Sequence, residues 1–127
     1  MNETRSLVLI VDDNATNLDL LVNTLKDEYR LGISKKGVTA LEYAAKYRPD
    51  LILLDIMMER INTGYSVAQQ LGRVYPVILM SSMLNESDLS FDPDTVPFRD
   101  VLVKPLDAES LLNKVRAYAL QDQGHDT

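Results

Sequence analysis

Cysteine is absent from the 127-residue chain, which excludes a disulfide framework and any thiolate metal site. The absence fits a reducing compartment. Long apolar runs are absent too: none approaches the roughly 20 residues that span a bilayer. The polar start, residues 1–6, leads into the apolar run Leu7–Val11, which Asp12 and Asp13 cut off. No signal peptide is expected from such a start, and the domain is expected to be soluble and cytoplasmic. There is no internal repeat and no low-complexity segment. Basic residues are in deficit, 13 Lys and Arg against 19 Asp and Glu, for a net charge of −6. An acidic domain repels nucleic acid and anionic membranes at long range, so neither is expected as a direct partner. No Lys/Arg cluster offsets this, since Lys35-Lys36 is only a pair.

What is present is one domain's length and a composition 46% hydrophobic, enough for a core without staples. Short apolar segments, Leu7–Val11, Leu51–Leu54, Val77–Met80 and Val101–Val103, read as strands buried on both faces. Arg30–Ser34 reads as a weaker, edge strand. Helical periodicity fills the gaps. One stripe is Leu18, Leu21, Val22 and Leu25; a second is Val38, Leu41, Ala44 and Ala45, ended by Pro49. A shorter candidate between Gly64 and Val74 uses Val67, Ala68 and Leu71. The last stripe runs from Ala108 through Leu111, Leu112, Val115 and Tyr118 to Ala119, with Asp107 as its N-cap and an end near Leu120. Strands alternating with helices predict an α/β fold with a parallel sheet and right-handed crossovers.

Ligand sites in open parallel sheets lie at the carboxyl ends of the strands. Here those ends carry Asp12-Asp13, Asp55, Ser81-Ser82 and Lys104-Pro105, and the edge strand contributes nothing. Taken singly, each is an ordinary turn or cap residue. Their placement at successive central strand ends carries the functional reading. Three converging carboxylates repel one another, which raises at least one pKa unless a cation intervenes. Few ligands, all of them oxygen, suit Mg²⁺, which shares its site readily with a phosphoryl group. A carboxylate beside such an ion can attack phosphorus to give an aspartyl phosphate. Lys104 would neutralise the opposite side and the Ser81 hydroxyl would donate to a phosphoryl oxygen. Pro105, as a cis or turn proline, fixes the chain direction beside Lys104.

The segments LVLIVDDNATNLDLL, PDLILLDIMM, PVILMSS and VLVKPLDAESLL resemble response-regulator receiver domains over nearly the whole chain. The resemblance implies a flavodoxin-like, doubly wound, five-stranded parallel sheet of order 2-1-3-4-5. It implies a receiver over residues 1–121 and a polar tail over 122–127. It further implies Mg²⁺ held by Asp12, Asp13, Asp55 and the backbone carbonyl of Met57, with Asp13 as a direct ligand. Asp55 becomes the phosphoacceptor, Ser81 the switch hydroxyl and Lys104 the phosphoryl contact. Asn17 falls where family members vary and influence dephosphorylation. The implied partners are a sensor histidine kinase or phosphotransfer protein and a downstream effector protein or domain; oligomeric state is left open.

Three departures from the family pattern stand out. Glu59 and Thr63 replace the usual proline and glycine after the acceptor, with Gly64 one residue late. Val101 replaces the usual aromatic switch residue three before the lysine. Pro93 and Pro97 fall in the stretch that should hold the family's fourth helix, where an interior proline costs about 3 kcal/mol, so that helix is expected to be short, displaced or absent.

The main reading is a non-enzymatic signalling module that takes a phosphoryl group from a phosphohistidine onto Asp55 and switches an interaction surface. The alternative is a receiver-like interaction domain independent of phosphate, to which the missing aromatic lends support. A haloacid-dehalogenase-type phosphatase wants a second Asp two residues past the nucleophile, where this chain has Met57. An FMN binder would place phosphate where Asp12-Asp13 repel it. His125 and the scattered tyrosines read as tail and packing residues.

Overall fold

The computed structural model describes residues 5–55, 67, 69–81 and 98–124. Five parallel strands form one sheet: β1 (Leu7–Val11), β2 (Arg30–Ser34), β3 (Leu51–Asp55), β4 (Val77–Ser81) and β5 (Asp100–Val103), in the order β2-β1-β3-β4-β5. Helices α1 (Ala15–Leu25) and α2 (Gly37–Tyr47) follow β1 and β2, and the C-terminal helix (Ala108–Gly124) follows β5. Val67 and residues 69–72 are helical as well. The flavodoxin-like fold and its strand order agree with the expectation.

Apart from Asp55 and Ser81 at the ends of β3 and β4, the central strands are apolar because each of their faces meets a helix layer. The two-residue alternation of a strand divides the core in two. Val8, Ile10, Leu53 and Met80 face Leu18, Leu21 and Leu25 of α1 and Leu111, Val115 and Ala119 of the C-terminal helix. Leu9, Val11, Ile52, Leu54 and Leu79 face Ala40 and Ala44 of α2 together with Val67 and Leu71. Burying a leucine side chain stabilises by about 1.5–3 kcal/mol, so these two layers hold the sheet between its helices. β1 pairs with β2 and β3 and β4 lies beyond, which sets the ends of β1, β3 and β4 side by side.

Several boundaries differ from the sequence reading. β3 continues through Asp55 and β4 through Ser81, while β5 begins at Asp100. The ladder does not stop at the first polar side chain, because Asp55 pairs with Met80 and Ser81 with Val103. On α2 the buried face is Gly37, Ala40 and Ala44, and Val38 is exposed. Small alanines permit close approach to β1 and β2, so the true face is rotated from the stripe that the larger Val38 suggested. α2 ends at Arg48, which adopts the left-handed conformation (φ 51°) ahead of Pro49 and donates its N–H to Ala44 O. The C-terminal helix runs to Gly124, past the end expected near Leu120; Gln121 and Gln123 are good helix formers. Its N-cap is Asp107, whose carboxylate accepts Ser110 N–H at 2.9 Å. Asn14 caps α1 in the same way, accepting Asn17 N–H at 3.0 Å. The expectation for the family's fourth helix, with Pro93 and Pro97, lies outside the described residues.

Candidate functional site

The ends of β1, β3, β4 and β5 bring Asp12, Asp55, Ser81 and Lys104 together. Asp12 and Ser81 are fully buried and Asp55 is 3% exposed. Asp13 is exposed at the rim. One carboxylate oxygen from each of Asp12, Asp13 and Asp55 lies within 4.8 Å of the others. Lys104 enters from β5. Its Nζ donates to Asp55 Oδ2 at 2.8 Å and stands 3.7 Å from Asp12 Oδ2. The Lys104 backbone is fixed by donating its N–H to Ser81 O at 2.7 Å, and the Lys104–Pro105 peptide is cis. Met57 and Glu59 lie outside the described residues.

Asp12 carries the electrostatic strain of the site. Its Oδ1 accepts Asn14 N–H at 2.9 Å. Its Oδ2 is buried and has no hydrogen-bond partner among the described residues. Burial pushes the Asp12 carboxyl above the usual aspartate range; the Asn14 N–H pulls it down, the neighbouring Asp55 charge pushes it up and Lys104 pulls it down. A buried charged oxygen without a donor is costly, and a cation placed between Asp12, Asp13 and Asp55 would satisfy it. The donors are all oxygens, which is the chemistry a hard divalent cation requires.

Two contributors escape a reading of strand ends alone. Ser34, at the end of the edge strand β2, accepts Asp12 N–H through its carbonyl at 3.1 Å, so the edge strand does take part in holding the site. Asn14 both caps α1 and donates to Asp12. Backbone groups of this kind leave no residue-type signal, although an Asx residue two after the acidic position is a recognisable capping cue. Val101 is partly buried against the core layer shared with α2. Its carbonyl accepts from Lys114 Nζ at 2.9 Å, and the same ammonium bonds Asp100 Oδ1 at 2.9 Å.

A five-stranded parallel sheet with acidic residues just after β1 and at the end of β3, a hydroxyl at the end of β4 and a lysine just after β5 defines a receiver, and the response regulator receiver domain profile matches residues 8–116. The chain belongs to that family, the receiver domains of two-component response regulators. It is similar to response regulator PleD of Caulobacter vibrioides (strain NA1000 / CB15N), 34% identical over 116 residues, covering 87% of this chain and 25% of that protein. It is also similar to a probable cyclic di-GMP phosphodiesterase of Vibrio cholerae serotype O1, 32% identical over 126 residues, covering 94% of this chain and 28% of that protein. Transcriptional regulatory protein AfsQ1 of Streptomyces coelicolor is 28% identical over 124 residues, with 96% of this chain and 54% of that protein covered. The chain thus spans between about a quarter and about half of these relatives. Among solved structures, chemotaxis response regulator CheY4 of Vibrio cholerae superposes with a TM-score of 0.80 at 26% identity, covering 91% of this chain and 99% of that one. No helix among the described residues is long and apolar enough to cross a membrane.

Proposed function

We propose that this domain accepts a phosphoryl group on Asp55 from the phosphohistidine of a sensor kinase or phosphotransfer protein. The observation that carries the reading is the buried carboxylate pair, Asp12 and Asp55, joined by Asp13 and faced by Lys104 at 2.8 Å. Asp12 and Asp13, with Asp55 and the carbonyl of Met57, would hold Mg²⁺; bound there, the ion would neutralise negative charge on the incoming phosphoryl group. The chain's own groups do the rest. An Asp55 oxygen forms the bond to phosphorus while the donor P–N bond breaks, its electron pair leaving with the imidazole nitrogen. Lys104, already on Asp55, moves its hydrogen bond to a phosphoryl oxygen. Ser81, fixed at the end of β4 next to Lys104, donates to another. The low exposure of Asp12, Asp55 and Ser81 limits access of water to the acyl phosphate.

The output is an altered protein-interaction surface rather than a new catalytic activity, read by an effector protein or domain. The receiver extends through the C-terminal helix to Gly124, past the boundary expected at residue 121, and we place it in the cytoplasm, where its donors are. Nothing in the site favours the phosphate-independent alternative, since every carboxylate and the lysine are in position. The test is beryllofluoride, which mimics the aspartyl phosphate, added with Mg²⁺ to ¹⁵N-labelled protein. Amide shifts should centre on residues 12–14, 55, 81 and 104 and vanish in Asp55→Asn. An unchanged spectrum would rule the proposal out.

A further inference from the structure

The β2–α2 edge of the sheet is basic although the chain as a whole is acidic. Residues 30–48 carry Arg30, Lys35, Lys36, Lys46 and Arg48 against one acid, Glu42, a net of +4 in a chain of −6. The rest of the chain therefore stands at −10. All five basic residues are exposed, and all lie on β2, α2 or their immediate ends. The expectation that no basic cluster offsets the acidic charge does not hold for this edge.

β2 is one of the two terminal strands, with β5 the other, and pairs only with β1 among the described residues. Arg30 N–H donates to Ser6 O and Ser34 O accepts Asp12 N–H, so Arg30, Gly32 and Ser34 turn their backbone groups toward β1. The alternation of a parallel ladder then turns Leu31 and Ile33 outward. The side chains alternate too. Gly32 lies under Tyr43, whose ring occupies the space a Cβ would take. Tyr43 packs against Tyr47 in a tilted arrangement with centroids 4.5 Å apart, and Lys46 Nζ lies 5.2 Å from the Tyr47 ring centroid. On that face the edge is basic and aromatic. The opposite face presents Leu31 and the 46% exposed Ile33.

We propose that the β2–α2 edge docks an acidic, extended segment of a partner protein by strand addition. Its carboxylates would meet Arg30 and Lys46 on the α2 face and its alternate apolar residues would meet Leu31 and Ile33. A polyanion such as nucleic acid or an anionic membrane fits less well, because neither uses the outward backbone groups or the apolar face. The proposal is independent of phosphate chemistry at Asp55.

The test titrates ¹⁵N-labelled full chain with a short peptide alternating glutamate and valine, alongside poly-glutamate, single-stranded DNA and phosphatidylserine vesicles. We expect amide shifts confined to residues 30–48, with slowed exchange of the Leu31 and Ile33 amides only for the alternating peptide. Affinity should fall about tenfold or more in Lys35→Glu/Lys36→Glu/Lys46→Glu, and on raising salt, but not in the control Arg73→Glu. Thermal melts establish that the variants fold. Equal binding of DNA or vesicles, equal binding of poly-glutamate, or no localised shifts with the peptide would each overturn the proposal. Beryllofluoride responses of the same samples report on Asp55 separately.

Discussion

Replacing Asp12 with asparagine should stabilise the protein when no divalent cation is present. Asp12 is fully buried, one oxygen is held by Asn14 N–H at 2.9 Å, and the other has no hydrogen-bond partner among the described residues. Lys104 approaches that oxygen only to 3.7 Å and is closer to Asp55. Asparagine keeps the bond from Asn14 through Oδ1 and sets an N–H₂ in place of the orphaned oxygen, facing Asp55. An unsatisfied buried polar group costs about 1–3 kcal/mol, and its removal is the expected gain. For a domain of this length that corresponds to roughly 3–15 °C in Tm. The pH dependence has a definite sign. Asp12's carboxyl is raised above its ordinary 3.8 in the folded state, first by burial, so the folded chain holds the proton to higher pH than the unfolded chain. Its contribution is best below 3.8 and worsens as pH rises through the folded value. The advantage of Asp12→Asn should therefore be largest at neutral pH and shrink toward pH 4, and the proposed Mg²⁺ site predicts that millimolar Mg²⁺ narrows it by stabilising the parent alone. Calorimetry in chelator and in Mg²⁺ across this pH range measures all three. An asparagine variant no more stable than the parent in chelator at neutral pH would refute the reasoning.

Three further outcomes follow from single contacts. Lys104→Met should lower stability by about 1–3 kcal/mol at neutral pH, because Asp55 and Asp12 lose their shared cation, and Mg²⁺ should restore most of the loss in a urea titration. Asp107→Ala should cost about 1 kcal/mol by removing the N-cap of the C-terminal helix, with faster amide exchange at Ser110 as its local signature. Glu28 is held below its ordinary 4.5, first by its hydrogen bond from Arg116, so carboxyl ¹³C shifts should place its titration below that value and Arg116→Ala should return it. The sign follows: the contact supports the fold above 4.5 and is lost as pH falls through the depressed value.

The layers were legible because apolar composition and strand burial coincide. Leu7–Val11 and Arg30–Ser34 are predicted at their observed bounds, since each ends where the chain must leave the sheet. Asp55 and Ser81 are read as following their strands because a polar side chain normally ends a buried run, whereas here the buried polar group is the last residue of the strand. The rotation of α2 was hidden because hydrophobic stripes favour Val38 over Ala40, and packing chose the smaller residue. At the site, residue types at the strand ends announced Asp12, Asp13, Asp55, Ser81 and Lys104. The partnership of Lys104 with Asp55, the orphaned oxygen of Asp12 and the grip of the Ser34 carbonyl depend on distances that sequence does not carry. The basic edge escaped notice because only Lys35 and Lys36 among its charges are adjacent in sequence, the others being spaced along β2 and α2.

Intact-mass spectrometry after incubation with Mg²⁺ and acetyl phosphate tests the phosphoacceptor reading most directly. The account predicts one added phosphoryl group, absent in Asp55→Asn and absent when the metal is chelated. A parent protein that stays unmodified, or an Asp55→Asn variant modified to the same extent, would contradict it.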